Sequence, residues 1–182
     1  AVWLESGRPI IYKNERVGVK DKHFFVYKFR SMKREFCTGP QFGDNVQASE
    51  KENELIATQN SKQGPVYKIK DDPRVTKVGR IIRRASLDEL PQFFNVLKGE
   101  MSLVGPRPHQ PREVAHYAKR QHRVLNIKPG VTGLAQISGR SDLEFDEEAR
   151  LDIFYIEHWS PLIDLIILIK TPFILFKSRK AL

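Results

Sequence analysis

Cysteine is nearly absent: Cys37 is the only one in 182 residues. No internal disulfide can form, and a reducing compartment, the cytoplasm, is the expected setting. No apolar run reaches the roughly 20 residues that span a bilayer. The longest, residues 162–176, is broken by Asp164, Lys170 and Pro172, too short and too charged to cross alone. His116 and His122 have no cysteine or histidine at a zinc-like spacing, so no transition-metal site is expected. The Gly-rich stretch 129–140 lacks both the Lys-Ser/Thr ending of a P-loop and the glycine spacing of a dinucleotide fingerprint, which argues against a nucleoside triphosphatase. A basic-then-apolar leader is missing too, and the first residue is Ala1. The expectation is a chain cut from something longer, with a membrane segment ahead of it left out.

What the chain does have is positive charge. Lys and Arg number 31 against 22 Asp and Glu, a formal charge of +9 with a pI near 9.7. Acidic partners are expected: nucleic acid, anionic lipid or phosphorylated substrates. The length suits one α+β domain over 1–182, mainly helical with a few short antiparallel strands.

Taken in order, residues 10–12, 17–19 and 23–30 read as strands, with 13–16 and 21–22 as turns. The last strand alternates, so Lys28 and Arg30 point the same way, as a solvated face or as part of an anion site. Residues 33–64 form a polar excursion with a helix over 50–59, whose Glu50, Glu52 and Glu54 read as a solvated face. A strand over 65–70 follows. Residues 74–84 then set Arg74, Lys77, Arg80, Arg83 and Arg84 against Val75, Val78, Ile81 and Ile82, an amphipathic helix able to lie on an acidic surface.

Ser86-Leu87-Asp88-Glu89-Leu90-Pro91-Gln92 comes next. Ser86 and Glu89 have capping-box spacing and Pro91 favours a first turn, so the dyad sits at or just before a helix start. There the dipole favours a carboxylate that stays ionised, and the paired acids can share a magnesium ion. A plain capped helix is the competing reading. Phe93, Phe94, Val96 and Leu97 are expected to pack that helix inward. Arg107 is stiffened between Pro106 and Pro108, which suits bidentate phosphate binding, or simply a turn.

Residues 110–125 read as one helix. In the loop 129–140, glycines let backbone N–H groups approach a ligand beside Arg140, although turns need glycine as well. Ser141 and Glu144 repeat the capping-box spacing, and Asp146, Glu147 and Glu148 serve the helix after them. The last segment, 161–180, reads either as an interfacial helix flanked by Trp159 and a basic cluster or as a core helix kinked at Pro172.

Lys28-Phe29-Arg30-Ser31-Met32, Asp72-Pro73-Arg74, the heptad at 86–92, the run from Gly99 through Val104 to Gly105-Pro106-Arg107-Pro108, and Pro129-Gly130-Val131-Thr132-Gly133 occur together and in order. That combination resembles the bacterial sugar transferase family, the monotopic polyprenyl-phosphate hexose-1-phosphate transferases, from about Arg8 onward. Two departures stand out: the family's re-entrant membrane helix ahead of this region is missing, and Asn14 stands where a Gln is expected.

The resemblance implies transfer of a hexose 1-phosphate from a UDP-sugar to polyprenyl (undecaprenyl) phosphate, with release of UMP, at the cytoplasmic face of the bacterial plasma membrane. Asp88 is the implied nucleophile, and Glu89 helps it hold Mg2+. Arg83 and Arg107 are the implied phosphate contacts, with Lys28, Arg30 and Arg140 as further candidates. A homodimer is compatible with it, and nucleic acid is not an expected partner. A basic nucleic-acid module and a non-catalytic membrane adaptor remain the alternatives from charge alone. The first lacks a groove-reading motif and aromatics interleaved with its basic run. The second has no use for the dyad.

Overall fold

The computed structural model describes residues 1–43, 45–61, 64–69, 71–139 and 143–177. After a short helix α1 (Val2–Ser6), strands β1 (Ile11–Val17) and β2 (His23–Phe29) form an antiparallel ribbon in register from Ile11↔Phe29 to Val17↔His23. The expected turn at 13–16 is therefore strand. The chain reverses instead through a 3₁₀ turn at Val19–Asp21, where Lys20 and Asp21 take positive φ. The polar residues that suggest a turn alternate across the ribbon, and Arg16 is buried beside Val17.

Helix α2 (Val46–Gln59) is capped by Asn45, whose side chain accepts from the Ala48 amide. The strand expected over 65–70 is reduced to one bridge, Asn60 to Ile69. Helix α3 runs over Lys77–Arg84 rather than from residue 74. Thr76 Oγ1 accepts from the Gly79 amide at 2.8 Å, and the Glu5 carboxylate accepts from the Lys77 and Val78 amides. These acceptors satisfy the free N–H groups of the first turn and fix the start there. Arg74 is left outside the basic stripe, buried against Asp72 and Glu52.

Helix α4 (Gln92–Leu97) inverts the expected packing. It buries Gln92 and Asn95 and leaves Phe93, Phe94 and Leu97 exposed, Leu97 by 82%. The reason is polar: Asn95 Oδ1 accepts from the Tyr27 amide at 3.0 Å, and its Nδ2 donates to Phe25 O and Glu100 Oε2, both at 2.7 Å. Asn95 thus acts as a strand neighbour for the free edge of β2, a role no phenylalanine can fill.

Strands β3 (Ser102–Val104) and β4 (Gly130–Thr132) pair in parallel, against the expectation of antiparallel strands alone. The connection between them is long enough for the crossover that parallel pairing requires. The single helix expected over 110–125 is two pieces within it, α5 (Pro111–Val114) and a 3₁₀ turn at Gln121–Asn126. The Gly-rich stretch is likewise β4 followed by α6 (Leu134–Ser138) rather than loop.

Helix α7 (Phe145–Glu157) joins two core clusters, Val17, Val114, Val124, Leu125 and Ile153 on one side and Val104, Tyr155 and Ile167 on the other. Helix α8 (Pro161–Lys177) runs on through Pro172. Its Ile167 is buried, while Leu162, Leu165, Ile169 and Phe173 are open. At the rise of an α-helix it extends about 25 Å. The hydrocarbon core of a bilayer is roughly 30 Å thick, and no helix among the described residues is long and apolar enough to cross a membrane.

Candidate active site

A cavity of about 1140 Å³ opens between the ribbon, α3, β4, α6 and α8, and Asp88, Glu89, Lys28, Arg83 and Arg107 all line it. The dyad lies on a 3₁₀ turn, Leu87–Glu89, just ahead of α4, as expected. The capping box does not form: Ser86 sits at φ 54° and its side chain makes no capping hydrogen bond. The left-handed Ser86 ends α3 sharply, and the turn carries the two carboxylates toward the ribbon.

Lys28 Nζ donates to Glu89 Oε1 at 2.6 Å, and Arg83 Nε donates to Ser31 Oγ at 2.7 Å. Burial pushes the Asp88 carboxyl up to about 6; Lys28 and Arg83 pull it down and Glu89 pushes it further up. Burial thus outweighs the helix start that was expected to keep the carboxylate ionised. Asp88 remains roughly 90% ionised at pH 7, where the proton activity is about tenfold below that at its midpoint, and it is a base strong enough to act as a nucleophile. Arg83 loses some of its basicity to burial, which the charges of Asp88 and Asp72 partly restore.

Arg107 is held by its backbone. Gly105 N donates to Thr132 O at 2.9 Å, Gly130 N to Pro106 O at 2.8 Å, Arg16 to Pro108 O at 3.1 Å and Val17 N to His109 O at 2.9 Å. The Arg107 amide is also tied to the buried Asp152. Burial alone would lower the Arg107 pKa; Glu148, Glu89, Glu113 and Asp152 outweigh it, and the net shift is upward. The guanidinium is open to the cavity with its charge fully retained.

Arg30 lines the same cavity, but its donors are engaged within the fold. Its side chain is buried and donates to the carbonyls of Ser6, Gly7, Pro9 and Met32, so it fastens the N-terminal segment to β2. Arg140 and Ser141 lie outside the described residues.

Three acidic residues carry more than their sequence context suggests. Glu52 does not face solvent: it pairs with Arg74 at 3.4 Å and Arg112 at 3.0 Å, accepts from the Tyr67 hydroxyl and lines the cavity. Glu148 is buried 3.6 Å from His109 and lines the cavity as well. Asp152 is 2% exposed with Oδ1 unpartnered; burial first, then Glu148, pushes its carboxyl well above the usual range. A signal for two of them is present in the sequence. Phe145, Glu148, Ala149, Asp152 and Ile153 recur at 3-1-3-1 spacing, which puts two carboxylates in the apolar stripe of α7.

The upward shift of the Asp152 carboxyl can be tested directly. Asp152→Asn, close in shape to a neutral carboxyl, is expected to change stability by less than about 1 kcal/mol. Asp152→Ala strands the Arg107 amide and is expected to cost about 1–3 kcal/mol in urea unfolding.

The family model described as "Bacterial sugar transferase" matches residues 1–178. The chain belongs to the bacterial sugar transferase family. It is 45% identical over 168 residues to a galactosyl transferase, CpsE, of Streptococcus agalactiae, covering 92% of this chain and 34% of the relative. It is 44% identical over 169 residues to an undecaprenyl-phosphate galactose phosphotransferase of Salmonella typhimurium, 91% of this chain and 33% of that protein. With a UDP-glucose:undecaprenyl-phosphate glucose-1-phosphate transferase of Escherichia coli it shares 40% over 194 residues, all of this chain and 36% of the relative. The chain thus spans about a third of the length of these sugar transferases.

Proposed function

We propose that this chain is the catalytic part of a phosphoglycosyl transferase that moves a sugar 1-phosphate from a UDP-sugar to polyprenyl phosphate. The observation that carries the reading is Asp88, a mostly buried carboxylate of raised basicity set in a cation-lined cavity. The names of the Salmonella and Escherichia coli relatives supply the donor and acceptor classes.

In the first step an Asp88 oxygen attacks the sugar-bearing phosphorus. The bond from that phosphorus to the bridging oxygen breaks, and UMP leaves with the oxygen and its electron pair. In the second step a phosphate oxygen of the lipid attacks the same phosphorus, the acyl phosphate bond breaks, and the Asp88 carboxylate is regenerated. Neither step needs a net proton. Charge on the phosphoryl oxygens is dispersed by Arg83, Lys28 and Arg107, each open to the cavity.

The residues fit Mg2+ that arrives with the nucleotide. Among the described residues no group of three or more His, Cys, Asp or Glu side chains forms a cage. Asp88 and Glu89 offer two carboxylates, the donor set that Mg2+ takes together with substrate phosphates. Glu89 would give up part of its contact with Lys28 to serve it. When bound, the ion supplies charge neutralisation on the diphosphate.

Membrane association is part of the same reading. Leu87, Leu90, Phe93, Phe94 and Leu97 are exposed beside the nucleophile, Ile81 is open between Arg80 and Arg84, and one face of α8 is open. Exposed apolar side chains of this kind, with Arg80 and Arg84 open beside Ile81, suit the interface of an anionic bilayer. A nucleotide-sugar donor sets the cytoplasmic face as the working side.

The full-length protein with Mg2+ and a panel of UDP-sugars, without acceptor, is expected to release UMP and gain the mass of one sugar phosphate. EDTA is expected to abolish both, and added Mg2+ to restore them. UMP release that is unchanged in EDTA would remove the metal from the reading, and the absence of UMP release with every donor would remove the function.

A further inference from the structure

We infer that Leu90, Phe93, Leu103 and Leu168 form a slot for the first isoprene units of the lipid acceptor, inside the cavity that holds Asp88. The inference rests on the transfer reading above and adds the place where the lipid lies.

The cavity is larger than one donor needs, since typical small-molecule pockets run to about 300–1,000 Å³ and this one is about 1140 Å³. Its lining is divided by chemistry. Lys28, Arg83, Asp88 and Glu89 line it together with the apolar Leu90, Phe93, Leu103 and Leu168. These four remain 47%, 46%, 42% and 38% exposed. They come from the dyad turn and α4, from β3 and from α8, and β3 packs against both α4 and α8, so the wall is continuous. Open apolar surface costs about 25 cal/mol per Å² relative to its burial, and an apolar occupant recovers that.

Gln136 Oε1, buried without a partner, is a polar atom of this cavity that an occupant could still meet; the two threonines beside Leu168 are already committed. Thr132 Oγ1 and Thr171 Oγ1 hydrogen-bond each other at 2.8 Å, and the Thr171 hydroxyl also reaches Ile167 O at 2.7 Å. A sugar or a nucleobase set against them would leave its own hydroxyls or amides unpaired, whereas a hydrocarbon chain would not. An occupant with an anionic head and an apolar stem matches the divided lining: its phosphate lies toward Lys28 and Arg83, its stem along Leu103 and Leu168. Helix α8 also supplies the way out, because it lines the cavity with Leu168 and Leu175 and leaves Leu165, Ile169 and Phe173 exposed.

The test uses the full-length protein in detergent, with two short acceptors: dimethylallyl phosphate, one isoprene, and farnesyl phosphate, three. Wild type is expected to favour farnesyl phosphate by about a hundredfold in kcat/KM. Leu103→Gln and Leu168→Gln are each expected to cut that preference tenfold or more, while Val46→Gln, exposed on α2 away from the cavity, leaves it unchanged. Sugar-phosphate adduct formation from UDP-sugar, without acceptor, reports whether each variant is folded; where a glutamine variant fails it, Leu103→Ala and Leu168→Ala replace the pair. Equal use of the two acceptors by wild type, or a preference kept in both leucine variants, overturns the slot. A wild type that forms no adduct overturns the transfer reading instead.

Discussion

Asp88→Asn is expected to lower sugar-phosphate transfer by roughly 10⁴-fold or more, the scale on which removal of a covalent nucleophile acts, and at the same time to make the metal-free protein more stable at neutral pH. The first effect follows from the chemistry. An amide cannot form the acyl phosphate, and in the proposed route both half-reactions pass through that bond. UMP release and adduct mass should vanish together, while UDP-sugar binding, measured by calorimetry, persists. A variant that still turned over at the native rate would end the covalent reading.

The second effect follows from burial. In the unfolded chain the Asp88 carboxyl titrates near its ordinary value of 3.8, and in the fold it is pushed up to about 6. The folded state therefore binds the proton more tightly, and wild-type stability falls as pH rises between about 4 and 6, with the full cost present above 6. A difference of that size corresponds to about 3 kcal/mol, and partial exposure reduces it to about 2 kcal/mol. The Asn variant carries no such cost. In urea unfolding with EDTA present, its advantage at neutral pH should be about 2 kcal/mol and should disappear near pH 4. A purely structural Asp88 would show the opposite sign at neutral pH, because a stabilising carboxylate is one whose pKa the fold depresses.

The elements most legible in the sequence are those set by local chemistry. Ser86 through Gln92 announce a turn at a helix start, and Leu87–Glu89 is that turn. Pro161 opens α8, and the acidic residues at 146–148 open α7. The misreadings arise where a partner distant in sequence decides. Asn95 turns α4 inside out because β2 has a free edge 68 residues away in sequence, and no helical periodicity records that edge. Glu52 reads as solvated because Arg74 and Arg112, which hold it, come from two later segments. Arg30 reads as an anion ligand because its four carbonyl acceptors carry no side-chain signature. Buried carboxylates on α7 are readable in principle, since position in the apolar stripe marks them whatever their charge. The exposed apolar face is half readable: the apolar residues of α4 stand out in the sequence, but a core is where such residues usually go.

The glycines of the Pro-Gly-Val-Thr-Gly stretch show the same division, and they support the largest expected effect on folding. Gly130→Ala would set a methyl 2.1 Å from Gly105 N, 2.4 Å from Thr132 O and 2.7 Å from Gly105 Cα. All three are backbone atoms, so no side chain can rotate out of the way and the β3–β4 pairing itself must open. Gly105 and Gly133 are locked into the same contact: a Cβ on the first meets Lys128 O at 2.5 Å, and on the second Gly105 O at 2.2 Å. Overpacking a core by a methylene costs about 1–3 kcal/mol when side chains can yield. Here they cannot, and a loss above about 4 kcal/mol is expected, a large part of a typical total of about 5–15 kcal/mol. Gly7→Ala is the control, because Gly7 has φ 74° but nothing within 4 Å of its Cβ position; only backbone strain of about 1 kcal/mol is expected there. Urea midpoints of the two variants separate steric locking from conformational preference. Equal midpoints would mean that these glycines serve turns after all. A collapse confined to Gly130→Ala would mean that they bring two backbone segments together, one at Gly105 and one at 128–133, so that the loop between β3 and α5 can aim Arg107 at the cavity.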